Sequence, residues 1–150
     1  MILKGYVNVD ERPLPGVDQV GDLLKLDYPA SSIEQIIWFH AIEHFTFDET
    51  VELVRKFYRW LSPGGSLIIE GPDVVKCVKN ATSDFDAVQG LFGSLFQCRK
   101  GRDGYQHKWG WTGSLVQQQL ATEGFIIAPV KEGISHKKPW RDYRVEARKP

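Results

Sequence analysis

Cysteine, long apolar runs and any excess of charge are all scarce in this sequence, and each scarcity removes a class of protein. Two cysteines, Cys77 and Cys98, occur in 150 residues. No histidines stand at metal spacing around them, so they read as reduced thiols rather than a disulfide framework. No apolar stretch approaches the roughly 18 to 20 residues that a transmembrane helix requires, and the N-terminus shows neither the basic nor the apolar region of a signal peptide. A cytoplasmic protein with no membrane partner is expected. Acidic and basic side chains cancel at 19 each, and from that balance no nucleic-acid partner is expected. The last third is locally more basic, but acids and apolar runs interrupt it, as on a solvated face. The length suits a single domain over residues 1–150 with a sizeable core, and is too short for two.

What is present is a succession of short apolar patterns. Gly5-Tyr6-Val7-Asn8-Val9-Asp10 alternates around a β-branched pair and runs into the turn-rich Arg12-Pro13-Leu14-Pro15-Gly16. It predicts a short strand with an open end. Asp18 to Leu26 is weaker, a short strand or extended loop. Ile33 to Phe39 ends in four consecutive apolar residues, as expected of a central strand covered on both faces in a parallel sheet. Thr46-Phe47-Asp48-Glu49 has the spacing of a capping box. Val51, Val54, Phe57, Tyr58 and Leu61 then recur at helical intervals up to Pro63-Gly64-Gly65, predicting a helix over about 47 to 61. Ser66 to Glu70 is a buried strand closed by Gly71-Pro72-Asp73, and strand, helix, strand implies a right-handed crossover and parallel pairing.

Phe85, Val88, Leu91, Phe92, Leu95 and Phe96 place another helix between Ser83 and Phe96. Arg99 to Trp111 has no period and forms a long loop of the kind that often carries function. Thr112 can cap a third helix bearing Leu115, Val116 and Leu120, stopped by Gly124. Phe125 to Val130 and Tyr143 to Ala147 are final strands joined by a basic, proline-containing connection.

His40-Ala41-Ile42-Glu43-His44 fits the H-x-x-E-H string of the inverted zinc peptidases. Such a site needs both imidazoles on one helical face. Here His40 directly follows an apolar strand and helix initiation at Thr46 comes after His44, so both rings should project from a strand-to-helix turn. No downstream acid is marked as a third ligand, and no metal is expected. Two readings stand ahead of a zinc hydrolase: partly buried histidines bonded to backbone, or a ligand-binding turn. In an open parallel sheet, ligands bind outside the carboxyl ends of the strands, and Asp10, Asp22 and His40 fall at such ends. A carboxylate at the first could accept both hydroxyls of a ribose, and one at the second an adenine amino group.

In order, Gly5 to Asp10, Val20-Gly21-Asp22-Leu23, His40 to Phe45, Leu61-Ser62-Pro63-Gly64-Gly65-Ser66-Leu67-Ile68-Ile69-Glu70 and Glu123-Gly124-Phe125 together resemble the small class I S-adenosylmethionine-dependent methyltransferases of bacteria, over essentially the whole chain. The resemblance implies an α/β, Rossmann-like fold: a seven-stranded, mostly parallel sheet with helices on both faces and a final antiparallel strand around 143 to 147. It implies S-adenosylmethionine as cofactor. Asp10 would hold the ribose, Asp22 and Leu23 would border the adenine, and Phe39 and His40 would lie beside the methionine half, with Glu43 and His44 mainly fixing the turn. A small-molecule acceptor would meet His40 and the loop residues Tyr105, His107 and Trp109, the first and the two loop residues Tyr105 and His107 being the catalytic candidates.

One departure from the family pattern matters. Members open with a strand leading into a G-x-G turn just before the equivalent of Gly5-Tyr6, where this sequence has Met1-Ile2-Leu3-Lys4. An N-terminally truncated domain is expected, lacking the first strand and the glycine-rich loop. A buried strand contributes on the order of 10 kcal/mol, comparable with the whole stability of a typical domain, about 5 to 15 kcal/mol. Compensation is expected from direct pairing of the first and third strands, or from a homodimer covering the exposed edges. The loss also opens a second function, a non-catalytic relic serving as an oligomerising or binding module.

Overall fold

Helix formation starts where the capping box placed it. Thr46 Oγ1 accepts from the Glu49 amide at 3.2 Å, and the Glu49 carboxylate accepts from the Thr46 amide at 2.7 Å. The computed structural model describes residues 2–80, 83, 106–136 and 140–150. Its elements are β1 (Val9–Asp10), β2 (Gln19–Val20), β3 (Ile33–Phe39), α1 (Phe47–Trp60), β4 (Leu61–Pro72), α2 (Val74–Lys79), α3 (Gly113–Thr122), β5 (Ile126–Ile127), β6 (Lys131–Glu132) and β7 (Asp142–Arg148). A 3-10 turn, Ile42–His44, lies between β3 and α1.

Leu53, Val54, Phe57 and Trp60 form the buried stripe of α1. They pack with Trp38 of β3, Leu67 and Ile69 of β4, and Val145 and Ala147 of β7. β4 is central to that layer: it pairs in parallel with β3, from Gln35↔Ser66 to Phe39↔Glu70, and antiparallel with β7, from Ser66↔Arg148 to Pro72↔Asp142. β5 and β6 both add antiparallel to β7. The α/β class, the parallel strand pairs and the antiparallel C-terminal strand agree with the sequence reading. The helix assigned to residues 83–96 lies outside the described residues, apart from Ser83.

The turn between α1 and the straight part of β4 needs two glycines for different reasons. Gly64 has φ +78°, a left-handed conformation that side chains with a Cβ resist. A Cβ on Gly65 would sit 2.9 Å from the Ser62 carbonyl oxygen and 3.0 Å from that of Glu34. The Gly64 amide donates to Lys149 O and the Lys149 amide to Gly65 O, zipping the turn to the end of β7.

Three expectations are corrected. The first strand, read over Gly5 to Asp10, shrinks to Val9–Asp10, because the Asn8 side chain bonds the carbonyls of Leu3 and Tyr6 and so draws the preceding chain into a loop. Ile33–Phe39 was read as central, yet among the described residues β3 pairs only with β4. Direct pairing of the first and third strands does not occur: β1 and β2 form their own parallel pair. Side chains of α1 and β3 hold that pair instead of a ladder. Lys56 donates to the Leu24 carbonyl, Asp27 accepts from Trp60 Nε1 at 3.1 Å and from Arg59, the Tyr28 ring stands edge-on to Trp60 with centroids 4.9 Å apart, and the Tyr6 hydroxyl donates to Gln35.

Two elements escaped the sequence reading. α2 is capped by Asp73, whose carboxylate accepts from the amides of Val75 and Lys76, and β6 falls in the stretch read as a connection. Among the described residues no helix is long and apolar enough to cross a membrane.

Glu70 is fully buried on β4, opposite Arg144 of β7. Its Oε1 accepts from Arg144 Nη1 at 2.6 Å, and its Oε2 from the amides of Ile134 and Ser135 at 3.1 and 2.8 Å. Burial opposes its charge, but these donors hold its pKa below the ordinary 4.5. With a folded-state pKa below the unfolded value, the contribution is present above pH 4.5 and is lost as pH falls through the folded pKa. Glu70→Gln should therefore cost about 1.5 to 3 kcal/mol at pH 7 and flatten the decline of stability below pH 4.5, as urea unfolding across pH would record.

Candidate functional site

The two ladders of β4 fix the site. Because β3 runs with β4 and β7 runs against it, the end of β3 and the start of β7 meet at one edge. The chain leaves β3 through His40, whose amide donates to Glu70 O at 2.8 Å and whose φ of +48° is uncommon for any residue but glycine. That reversal feeds the 3-10 turn, which buries Glu43.

His40 lies between two carboxylates. Its Nδ1 is 3.6 Å from Glu43 Oε1 and its Nε2 3.5 Å from Asp142 Oδ2. Glu43 is 4% exposed and Asp142 0%, so both are acids that need counter-charge. Arg141 supplies part of it, with Nε and Nη2 at 2.5 and 3.0 Å from the two Asp142 oxygens. The His136 ring stacks on His40, centroids 3.5 Å apart and planes 16° from parallel.

On the far side of Glu43, His107 Nε2 stands 3.9 Å from Oε1, and the His44 ring meets His107 edge-on at 4.9 Å. The loop carrying His107 is pinned because Lys108 N donates to Glu43 O at 2.7 Å and Lys108 Nζ reaches Glu49 at 3.3 Å. Burial pushes His107 down to about 4 against the pull of Glu43, so its ring is neutral at physiological pH. Burial also works against ionised Glu43, yet His40, its own backbone and His107 keep its pKa below the ordinary value. Tyr143 is fully buried, and burial together with Glu43, Asp73 and Asp142 raises its pKa well above 10.

The sequence-derived cofactor residues lie on two units. Asp10 and Asp22 sit at the carboxyl ends of the adjacent parallel strands β1 and β2, where the Gly21 amide donates to Asp10 O. The Asp10 carboxylate accepts from Arg12 N and Nε, both at 3.0 Å, and Asp22 accepts from Leu24 N at 3.0 Å. Leu23 packs against the core, and Phe39 lies under the Arg144 guanidinium, 5.7 Å from its ring centre. His40 and His107 are brought together through Glu43. Trp109 is 43% exposed and tilts against Phe47. Tyr105 lies outside the described residues. Sequence reasoning gave Glu43 a turn-fixing role only and missed His136, Arg141, Asp142 and Tyr143. The available signal was Arg141-Asp142-Tyr143 at the head of a strand already expected to be antiparallel.

The family model described as a methyltransferase domain matches residues 6–69. Among solved structures, an S-adenosylmethionine-dependent methyltransferase from Mesorhizobium loti is 18% identical with a TM-score of 0.60, covering 92% of this chain and 72% of its own. One from Methanosarcina mazei is 14% identical with a TM-score of 0.61, covering 87% and 66%. A Pyrococcus horikoshii protein is 15% identical with a TM-score of 0.59, covering 88% of this chain, which spans 58% of that protein's length. No curated protein sequence matches the chain. The fold is that of the class I S-adenosylmethionine-dependent methyltransferases, as the sequence resemblance implied. Residues 6–69 are similar to the methyltransferase domain, and the remainder of the chain shares the fold alone with these structures.

The Tyr143 hydroxyl has no hydrogen-bond partner among the described residues, and replacing an unmatched buried polar group by an apolar one of the same shape is close to neutral. Tyr143→Phe should shift the urea midpoint by the equivalent of less than about 1 kcal/mol, in either direction.

Proposed function

We propose that the chain binds S-adenosylmethionine and transfers its methyl group to a small-molecule acceptor at the edge where His40 lies between Glu43 and Asp142. The observation that carries this reading is that placement: an imidazole 3.6 and 3.5 Å from two buried carboxylates, at the carboxyl end of a parallel strand, where such sheets take ligands.

The cofactor's nucleoside end fits the residues present. Asp10 and Asp22 follow neighbouring parallel strands and keep 30% and 41% of their side-chain surface open. Arg12 occupies the Asp10 carboxylate and would yield it to the ribose hydroxyls. When bound, the cofactor supplies an electrophilic methyl carbon. The chain's own work is to position the acceptor, since an in-line displacement depends chiefly on proximity and orientation, and to remove a proton where the acceptor must lose one. His40 is the candidate group at that edge, its ring oriented by Glu43 and Asp142 on either side.

Calorimetry with S-adenosylhomocysteine tests the reading. Micromolar binding that disappears in Asp10→Ala is expected, with His40→Ala retaining binding while turnover of an identified acceptor falls by about 10²- to 10⁴-fold. Absence of heat with folded protein would overturn it. The edge of β3 left unpaired among the described residues favours one second reading, a homodimeric binding module. Sedimentation showing a dimer together with no cofactor binding would select it.

A further inference from the structure

The H-x-x-E-H string does not act as a helical zinc motif, because His40 faces Asp142 and His136 while His44 faces His107. Its second half is completed from elsewhere in the chain. We propose that Glu43, His44 and His107 form a binding site for a divalent transition-metal ion of the zinc or cobalt type. One ligand atom from each of the three residues lies within 4.8 Å of the other two, and two imidazoles with a carboxylate make a donor set that such ions accept with a coordination position left open.

Three further observations support the site and are independent of methyl transfer. Glu43 Oε2 is buried with no hydrogen-bond partner among the described residues, an expensive state for a carboxylate that a metal ion relieves. His44 Nδ1 lies 3.4 Å from the Gln106 carbonyl, the kind of outer contact that sets the tautomer and turns Nε2 toward a metal. The backbone bond from Lys108 to Glu43 keeps His107 at the turn with no metal bound. A tetrahedral ion with bonds of about 2.0 to 2.2 Å needs ligand atoms roughly 3.3 Å apart, so the cluster has to contract, and rotation of the half-buried His44 side chain provides the movement.

The neighbouring group of His40, His136 and Asp142 also has three ligand atoms in range. It is the poorer host, because Arg141 already forks the Asp142 carboxylate and stands 3.5 Å from His136 Nδ1. A second cation there would be repelled.

The test is cobalt(II) titration of the full chain after chelator treatment, read by visible ligand-field absorption and by isothermal calorimetry. A single site is expected, weakened at least about tenfold in Glu43→Gln, His44→Ala and His107→Ala and unchanged in His136→Ala. His44 is half-buried, so His44→Ala keeps the test decisive if the variants at the two buried ligands fail to fold, which circular dichroism would reveal. No cobalt spectrum with the unmodified chain, binding unaffected by His44→Ala, or an equal loss in His136→Ala would each overturn the proposal.

Discussion

Everything at the candidate site depends on β4 having one parallel and one antiparallel neighbour. A strand with two parallel neighbours would present the carboxyl ends of three strands at one edge, and the chain would have to supply all its chemistry from outgoing turns. Here one neighbour ends at that edge and the other begins there, so His40 leaves β3 beside the point where Asp142 enters β7. Residues about a hundred apart in sequence thereby meet without any flexible loop being asked to hold them. The ladder geometry also explains the burial of the two acids. Asp142 is in register with Pro72 within a buried strand pair, and Glu43 is folded under the turn that His40 initiates.

The β1-β2 unit is attached by a different kind of force. Its contacts with the rest of the described structure include the C-terminal end of α1, where Lys56, Arg59 and Trp60 reach the carbonyls and carboxylate of residues 24 to 27, and the Tyr6 hydroxyl on Gln35 of β3. Side-chain contacts of this kind tolerate small shifts that a hydrogen-bonded ladder would forbid. The acids proposed to hold a nucleoside and the histidines proposed for proton or metal chemistry thus belong to separate pieces, joined by α1 and by the Tyr6 contact with β3.

Much of the fold was legible because local signals agreed with tertiary demand. The capping box at Thr46, the apolar run ending in Phe39 and the Thr112 cap each fixed an element boundary with little help from the rest of the chain. The first strand was misjudged because Asn8 offers its neighbours side-chain hydrogen bonds that compete with a ladder, a choice that alternation cannot reveal. The site was half legible. His40 and His107 stand out by residue type and position, whereas Asp142 looks like any acid at a turn until the antiparallel register buries it. His136 and Arg141 lie in a stretch without periodicity, and only the folded chain brings them to His40.

Neighbouring codons can carry unequal burdens, and the turn before the straight part of β4 is a case. At residue 64 the barrier is one of handedness, which an asparagine could partly satisfy because its short polar side chain visits the left-handed region. At residue 65 the barrier is room, since any side chain would be driven into two backbone oxygens and would wedge β3 away from β4. Evolutionary drift therefore has a narrow passage at the first position and a closed door at the second, even though the same amino acid occupies both.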